Sequence, residues 1–234
     1  MKVAIVTGTS RGLGQLIESN LRDAGYHVFG CSTHGPRAVD VRDRFQVSKF
    51  VADVLHEAGG RIDVLVNNAG VIYPSTPLET TMDEDLIDCL QTHVHGPFFM
   101  MKQVIPVMKA QKSGVIVNVA SKSGVYTTPG LAAYSASKAA LIALTQATAK
   151  ELRETNILCV AVCPAAMNTY LRAKAFGREA APLSMNPQRV ADLVTTIANL
   201  RSTHGFEPSM ELAGGDCIIV RKDKLEIETM RDDR

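Results

Sequence analysis

Short apolar runs alternate with longer helical stretches along this chain, and that alternation decides its fold class. Val3 to Val6, His27 to Cys31, Val64 to Val66, Val115 to Val119 and Ile157 to Val162 are rich in Val and Ile and bounded by Gly, Asn, Ser or Pro. Runs of this kind read as strands buried on both faces. Between them, Leu13 to Ala24, Arg44 to His56, Asp83 to Lys109 and Ala132 to Arg153 read as helices. A further helix is expected after Asn186-Pro187, with proline in its first turn, running to about Leu200. The order predicts an α/β fold: a doubly wound, mainly parallel sheet with helices on both faces. Small and apolar residues crowd Ala132 to Arg153, so that helix is expected to be buried on more than one face.

No linker, internal repeat or low-complexity block divides the 234 residues, so one domain over 1–234 is expected. The charged stretch 224–234 reads as a C-terminal tail, frayed or pinned to a neighbour. One connection is too short for the pattern. Six residues separate Cys31 from the next candidate strand, Ala38 to Val41, where a parallel crossover needs about a dozen or more. Either the crossover helix is missing here or Ala38 to Val41 is barely a strand.

Composition narrows the function classes. Lys plus Arg total 25 and Asp plus Glu 24, a formal net charge of +1. Neither a nucleic-acid nor an anionic-membrane partner is expected from that balance. No apolar run reaches the about 18 residues of a membrane-spanning helix. The N-terminus enters a strand directly, without the form of a signal peptide, so a cytoplasmic protein is expected. The five cysteines (Cys31, Cys89, Cys159, Cys163 and Cys217) form no CxxC pair and read as reduced core thiols. His93 and His95 make an HxH pair, but no third ligand stands at a familiar spacing, so no metal site is expected.

The first strand leads through Thr7-Gly8-Thr9-Ser10-Arg11-Gly12-Leu13-Gly14 into the first helix. Glycines there permit a tight turn and close backbone approach, and the helix N-terminus offers unpaired N–H groups to a pyrophosphate. The spacing is GxxxGxG rather than GxGxxG, and a glycine-rich turn with no ligand also fits it. About twenty residues on, an Asp or Glu at the end of the second strand would grip an adenosine ribose 2′-hydroxyl. The chain has Cys31-Ser32-Thr33-His34 instead. Arg11 in the loop, with Ser32, His34 and Arg37 after the strand, suits a 2′-phosphate. A solvated Arg11 is the plainer alternative.

In Tyr134-Ser135-Ala136-Ser137-Lys138, Tyr and Lys stand four apart at the start of a helix and share a face. A phenol with a free pKa of about 10 is a poor acid at neutral pH. A nearby ammonium favours the phenolate and makes the group usable for proton transfer. Ser121 lies thirteen residues upstream, just past the strand Val115 to Val119, where its hydroxyl is placed to steady a carbonyl oxygen. An exposed helical Tyr–Lys pair is the alternative.

With these residues in view, the chain resembles the short-chain dehydrogenase/reductase family in its compact, Rossmann-type, single-domain form. TGTSRGLG, Asn67-Asn68-Ala69-Gly70, Ser121, YSASK and Cys163-Pro164-Ala165 through Thr169 occur in the family's order and spacing, over about residues 3–170. The resemblance implies that Tyr134 is the acid/base, that Lys138 lowers its pKa and binds the nicotinamide ribose, and that Ser121 orients the substrate oxygen. It implies that Gly8, Ser10, Arg11, Leu13 and Gly14 surround the adenosine phosphates. Asp40 and Val41 then contact adenine, and Asn67, Ala69 and Gly70 line the cofactor ribose. Pro164 to Thr169 hold the nicotinamide, with Met167 and Thr169 near its carboxamide. Residues 170–186 correspond to a substrate lid, whose Arg172, Lys174 and Arg178 meet either an anionic substrate or solvent.

Two departures stand out. His93 occupies the position where the family usually has Asn, a residue that kinks the helix and anchors a water by its main-chain carbonyl. Its imidazole is either tolerated there or serves the chemistry as a proton relay, and it is counted with the candidate catalytic residues. Ala165 stands where glycine is common after Pro164, which matters if that backbone needs positive φ. The activity implied is an NADP(H)-dependent interconversion of a carbonyl and a secondary alcohol, with NAD(H) possible as cofactor. A small-molecule substrate follows, and the resemblance implies a homo-dimer or homo-tetramer built on Asp83 to Lys109 and Ala132 to Arg153. A nucleotide-binding sensor or scaffold that has lost turnover is the competing reading, favoured by His93.

Overall fold

The computed structural model describes residues 1–177, 184–200 and 214–221, and the backbone of 225–228. Seven strands form one sheet: β1 (Val3–Thr7), β2 (His27–Cys31), β3 (Val64–Asn67), β4 (Gly114–Val119), β5 (Ile157–Pro164), β6 (Cys217–Val220) and β7 (Leu225–Glu228). Their order is β2-β1-β3-β4-β5-β6-β7. The first six pair in parallel, and β7 pairs antiparallel with β6. The order turns back at β1, where the chain goes out to β2 and returns to β3 on the other side. Clefts at such a switch point, beyond the carboxyl ends of the strands, are where open α/β sheets bind ligands.

β1, β3, β4, β5 and β6 are buried along their whole length because helices cover both faces of the sheet. On one side α1 (Gly12–Asp23) and α7 (Gln188–Asn199) pack Leu13, Ile17, Leu21, Val190, Val194 and Ile197 against the Val-rich sheet. On the other, α2 (Arg44–Glu57) and α4 (Gly96–Gln111) contribute Val47, Phe50, Met100, Val104 and Met108. There α5 (Ala132–Glu151) buries Lys138, Leu141, Ile142, Thr145 and Ala149. Each such apolar side chain contributes about 1.5–3 kcal/mol on burial. All five cysteines are buried and none is in a disulfide, with Cys163 and Cys217 facing one another across β5 and β6 at 2.9 Å between sulfurs.

The stretch expected as one helix over Asp83 to Lys109 is three segments: α3 (Asp83–Leu90), a π-helical turn at Gln91–His95, and α4. The wider turn interrupts the i,i+4 ladder where His93 points inward. Both readings of the short connection after β2 hold. No helix crosses over, and only a single bridge, Ser32 to Ala38, stands where a strand would be. At the C-terminus, 225–228 form the edge strand β7 rather than a frayed tail. Residues 222–224 and 229–234 lie outside the described residues, as do 178–183 of the expected lid, with Arg178.

Candidate active site

The glycine loop is built by exclusion. Gly8 sits at φ +75°, and a Cβ on it would lie 2.8 Å from Ala69 Cα. A Cβ on Gly14 would stand 2.1 Å from the Gly8 carbonyl oxygen. Only hydrogen fits at either place, so the backbone forms an open cradle at the start of α1. Arg11 is the N-cap residue and its side chain makes no cap bond, which leaves the first N–H groups of α1 for an anion.

The loop is fixed from β3. The Thr7 hydroxyl accepts the backbone N–H groups of Asn68 and Ala69, both at 3.0 Å. Asn68 Nδ2 donates to the Thr7 carbonyl at 2.9 Å and the Gly8 carbonyl at 3.3 Å. Neither Thr7 nor Asn68 was singled out from the sequence. Asn67, expected at the cofactor ribose, turns its side chain the other way. It is 3% exposed and donates to Asn118 Oδ1 at 2.8 Å within the sheet. Side chains alternate along a strand, so Asn67 follows Leu65 into that face. Ala69 lies against Gly8, and Gly70 against the His93 ring.

At the adenosine end, Asp40 is held by Arg42 at 2.7 Å, which lowers its carboxyl below the usual range. Arg42 also reaches Asp88 at 3.2 Å, and Asp88 accepts the Tyr73 hydroxyl at 2.6 Å. Val41 is buried beside Gly96. The Ser32 hydroxyl donates to the His34 carbonyl. Arg37, expected near a 2′-phosphate, is committed elsewhere: it pairs with Glu57 at 2.8 Å and stacks on Phe29.

Ser121, Tyr134 and Lys138 come together at the ends of β4 and α5. Ser121 is buried, caps a short 3-10 turn by accepting the Ser123 N–H at 3.1 Å, and hydrogen-bonds the Tyr134 phenol. Burial around the hydroxyl pushes the Tyr134 pKa up to about 12, against a lowering by the Ser121 bond. Lys138 is 4% exposed and donates to the Val119 carbonyl at 2.7 Å. Desolvation brings its pKa down to about 8. Its Nζ lies 5.9 Å from the Tyr134 ring centre. The expected lowering of the phenol pKa by Lys138 is not seen: the one lowering influence is Ser121, and burial outweighs it.

A cavity of about 160 Å³ opens in front of these groups. Ser121, Tyr134 and Ile72 contribute one part of its lining, and Pro164, Met167 and Thr169 a second. The second wall is held in place: Asn168 N–H donates to the Met185 carbonyl at 2.9 Å and Ala165 N–H to Val220 at 2.8 Å. Thr169 caps α6 (Tyr170–Phe176), whose Arg172 and Phe176 border the cavity. Ala165 is not among the residues with positive φ, so its methyl group costs no backbone strain.

His93 is fully buried and both ring nitrogens are bonded. Nε2 accepts the Val71 N–H at 3.0 Å, which assigns the proton to Nδ1, donating to Ser137 Oγ at 2.8 Å. Ser137 passes its own proton to the Tyr134 carbonyl at 2.8 Å. The ring meets the Tyr134 ring edge-on, 5.4 Å between centres. Desolvation, reinforced by the Lys138 charge, holds its pKa well below 6.5. The relay at neutral pH expected as one option does not fit a neutral imidazole with fixed partners. His93 instead links Val71 to α5 through Ser137. His95, its partner in the HxH pair, is exposed against Phe99. Among the described residues no three His, Cys, Asp or Glu side chains group as metal ligands, and no helix is long and apolar enough to cross a membrane.

Comparison with known proteins agrees with this geometry. Residues 2–180 match the family model for short chain dehydrogenases. The 3-oxoacyl-acyl-carrier-protein reductase of Thermotoga maritima is 31% identical, over 92% of this chain and 97% of its own. The NADPH-dependent pterin aldehyde reductase of Arabidopsis thaliana is 30% identical, over 85% and 88%. Among solved structures, the 3-ketoacyl-(acyl-carrier-protein) reductase of Brucella melitensis in complex with NADH superposes with a TM-score of 0.82 at 26% identity, covering 94% and 96% of the two chains. The glycine cradle, the Ser121–Tyr134–Lys138 cluster and these relatives lead to one conclusion: the chain is an oxidoreductase of the short-chain dehydrogenase/reductase family.

Proposed function

We propose that the protein is an NADP(H)-dependent carbonyl reductase, acting in reverse as an alcohol dehydrogenase. One observation carries this: Ser121 and Tyr134 line the same cavity as Met167 and Thr169. The cradle that Gly8 and Gly14 leave open, with the uncapped start of α1, fits a dinucleotide pyrophosphate. Residues 164–169 would hold the cofactor's nicotinamide, which would supply or accept the hydride.

The chain's own residues hold the substrate and move the proton. Ser121 and Tyr134 aim two hydroxyls at the carbonyl oxygen. Tyr134, kept as a neutral phenol by burial, donates its proton to that oxygen as the alcohol forms. Lys138, charged below about pH 8, offsets the negative charge left on the Tyr134 oxygen and keeps donors for a ribose hydroxyl. The apolar lining from Ile72, Leu131 and Leu171 excludes water from the transfer.

Preference for NADP(H) rests on Arg11 and on the absence of a carboxylate in Cys31-Ser32-Thr33-His34. NAD(H) binding remains open to the same cradle. The Arabidopsis relative is named NADPH-dependent, whereas the Brucella structure holds NADH. The reading as a sensor without turnover loses its main support, because His93 is a packed strut that leaves Ser121, Tyr134 and Lys138 together. Leu86, Ile87 and Phe98, exposed along α3 and α4, support a homo-dimer or homo-tetramer through these helices. The test is NADPH oxidation with a panel of small ketones, aldehydes and 3-oxoacyl thioesters. Turnover that falls at least tenfold in Ser121→Ala supports the reading, and no turnover with any carbonyl sinks it.

A further inference from the structure

Arg11 and Tyr170 are 159 positions apart in the sequence, yet the guanidinium lies over the phenol ring, 4.2 Å from its centre. Tyr170 is the first residue of α6 and is 57% exposed, so core burial does not explain where its ring sits. The helix behind it is fixed at its far end. The Ser75 N–H donates to the Ala175 carbonyl at 3.1 Å, and Lys174 Nζ stacks on Tyr73 at 4.6 Å. Tyr170 is thus presented to the glycine loop by an element that also borders the cavity.

Stacking uses the face of a guanidinium and leaves its in-plane N–H donors free for an anion. Arg11 differs in this from Arg37 and Arg42. Arg37 is paired with Glu57, and Arg42 with Asp40 and Asp88. Among these three, Arg11 is the one whose guanidinium has no carboxylate partner. An arginine side chain that is already ordered loses less freedom when it binds.

We propose that Tyr170 is a specificity-determining positioning residue: it holds Arg11 in place for the adenosine 2′-phosphate, so that the choice of NADPH over NADH depends on the helix that borders the substrate cavity. This rests on the reading of Arg11 as the 2′-phosphate ligand. Tyr170 touches no reacting atom and acts through Arg11.

The test is fluorescence titration of NADPH and, separately, NADH into wild type, Tyr170→Ala, Tyr170→Phe, Arg11→Ala and the Arg11→Ala/Tyr170→Ala double variant. Thermal melts accompany each, to show that the exposed substitution leaves the fold intact. Tyr170→Ala is expected to weaken NADPH binding about two- to fivefold, the worth of an exposed cation–π contact, with NADH unchanged. Tyr170→Phe keeps the ring and is expected to match wild type. In the Arg11→Ala background, Tyr170→Ala is expected to add nothing. Equal loss for both cofactors, an unchanged NADPH to NADH ratio, or a Tyr170→Phe as weak as Tyr170→Ala would overturn the proposal while leaving the NADP reading intact. Wild type that binds the two cofactors equally would overturn that reading and the proposal with it.

Discussion

The Val71 amide donates to His93 Nε2 at 3.0 Å, and this bond ties the segment after β3 to the π-helical turn at Gln91–His95. The opposite nitrogen reaches Ser137, and through it the Tyr134 carbonyl. The imidazole thus bridges the segment after β3 and the first turns of α5.

That burial makes His93 an acid-sensitive element of stability. Its folded pKa lies well below 6.5, while an unfolded histidine titrates near 6.5. Between those values the unfolded chain binds the extra proton, so stability falls as pH drops below about 6.5. Denaturant unfolding from pH 7.5 to 5 is expected to show this slope in wild type and a shallower one in His93→Asn. Equal slopes would contradict the assignment. His93→Ala, which leaves the Val71 N–H unpaired beside a cavity, is expected to cost roughly 3 kcal/mol.

The alkaline limb of activity belongs to Lys138. Its pKa is about 8, and that of Tyr134 about 12. Loss of the ammonium removes the charge that stabilises the ionised phenol, so kcat/KM for carbonyl reduction is expected to decline above about pH 8. Across the same range Lys138 is lost as a charge before Tyr134 loses its proton. A profile flat to pH 10 would contradict this. Because the unfolded lysine still binds a proton up to its usual 10.5, this group makes the folded state more stable as pH rises from about 8 to 10.5.

Gly14 and Gly12 separate two reasons for glycine. Gly14→Ala drives a methyl group into the Gly8 carbonyl and is expected to weaken nicotinamide cofactor binding at least tenfold or to unfold the loop. Gly12, at φ +62° with open space around it, is expected to lose only about 1–2 kcal/mol on Gly12→Ala. Titration of the cofactor into each variant, with melting curves alongside, distinguishes the two. Equal effects would contradict the cradle geometry.

Much of this was legible in the sequence, and the limits have physical causes. β1, the glycine loop and α1 carry local signals: an apolar run, turn residues and helical periodicity. The Tyr134–Lys138 spacing also survives intact, because a regular helix fixes it. His93 was harder to read, since a π-helical turn rotates Gln91–His95 away from the 3.6-residue period. The Asn67 side chain, expected at the ribose, bonds Asn118 instead, as its parity with Leu65 on the inward face dictates. β7 was missed because Leu225–Glu228 alternates apolar and acidic residues, as an edge strand does, within a stretch read as charged tail. Arg37 pairs with Glu57, twenty positions away, and nothing local encodes that contact.

Tyr134→Phe tests the central claim most directly. The substitution removes one oxygen from a half-buried ring and leaves the contacts with His93 and Lys138. Carbonyl reduction and NADPH binding are to be measured on the same preparation. The account expects kcat to fall by about a thousandfold or more, with the Kd for NADPH within about twofold of wild type. A variant that binds NADPH and turns over at the wild-type rate would contradict it.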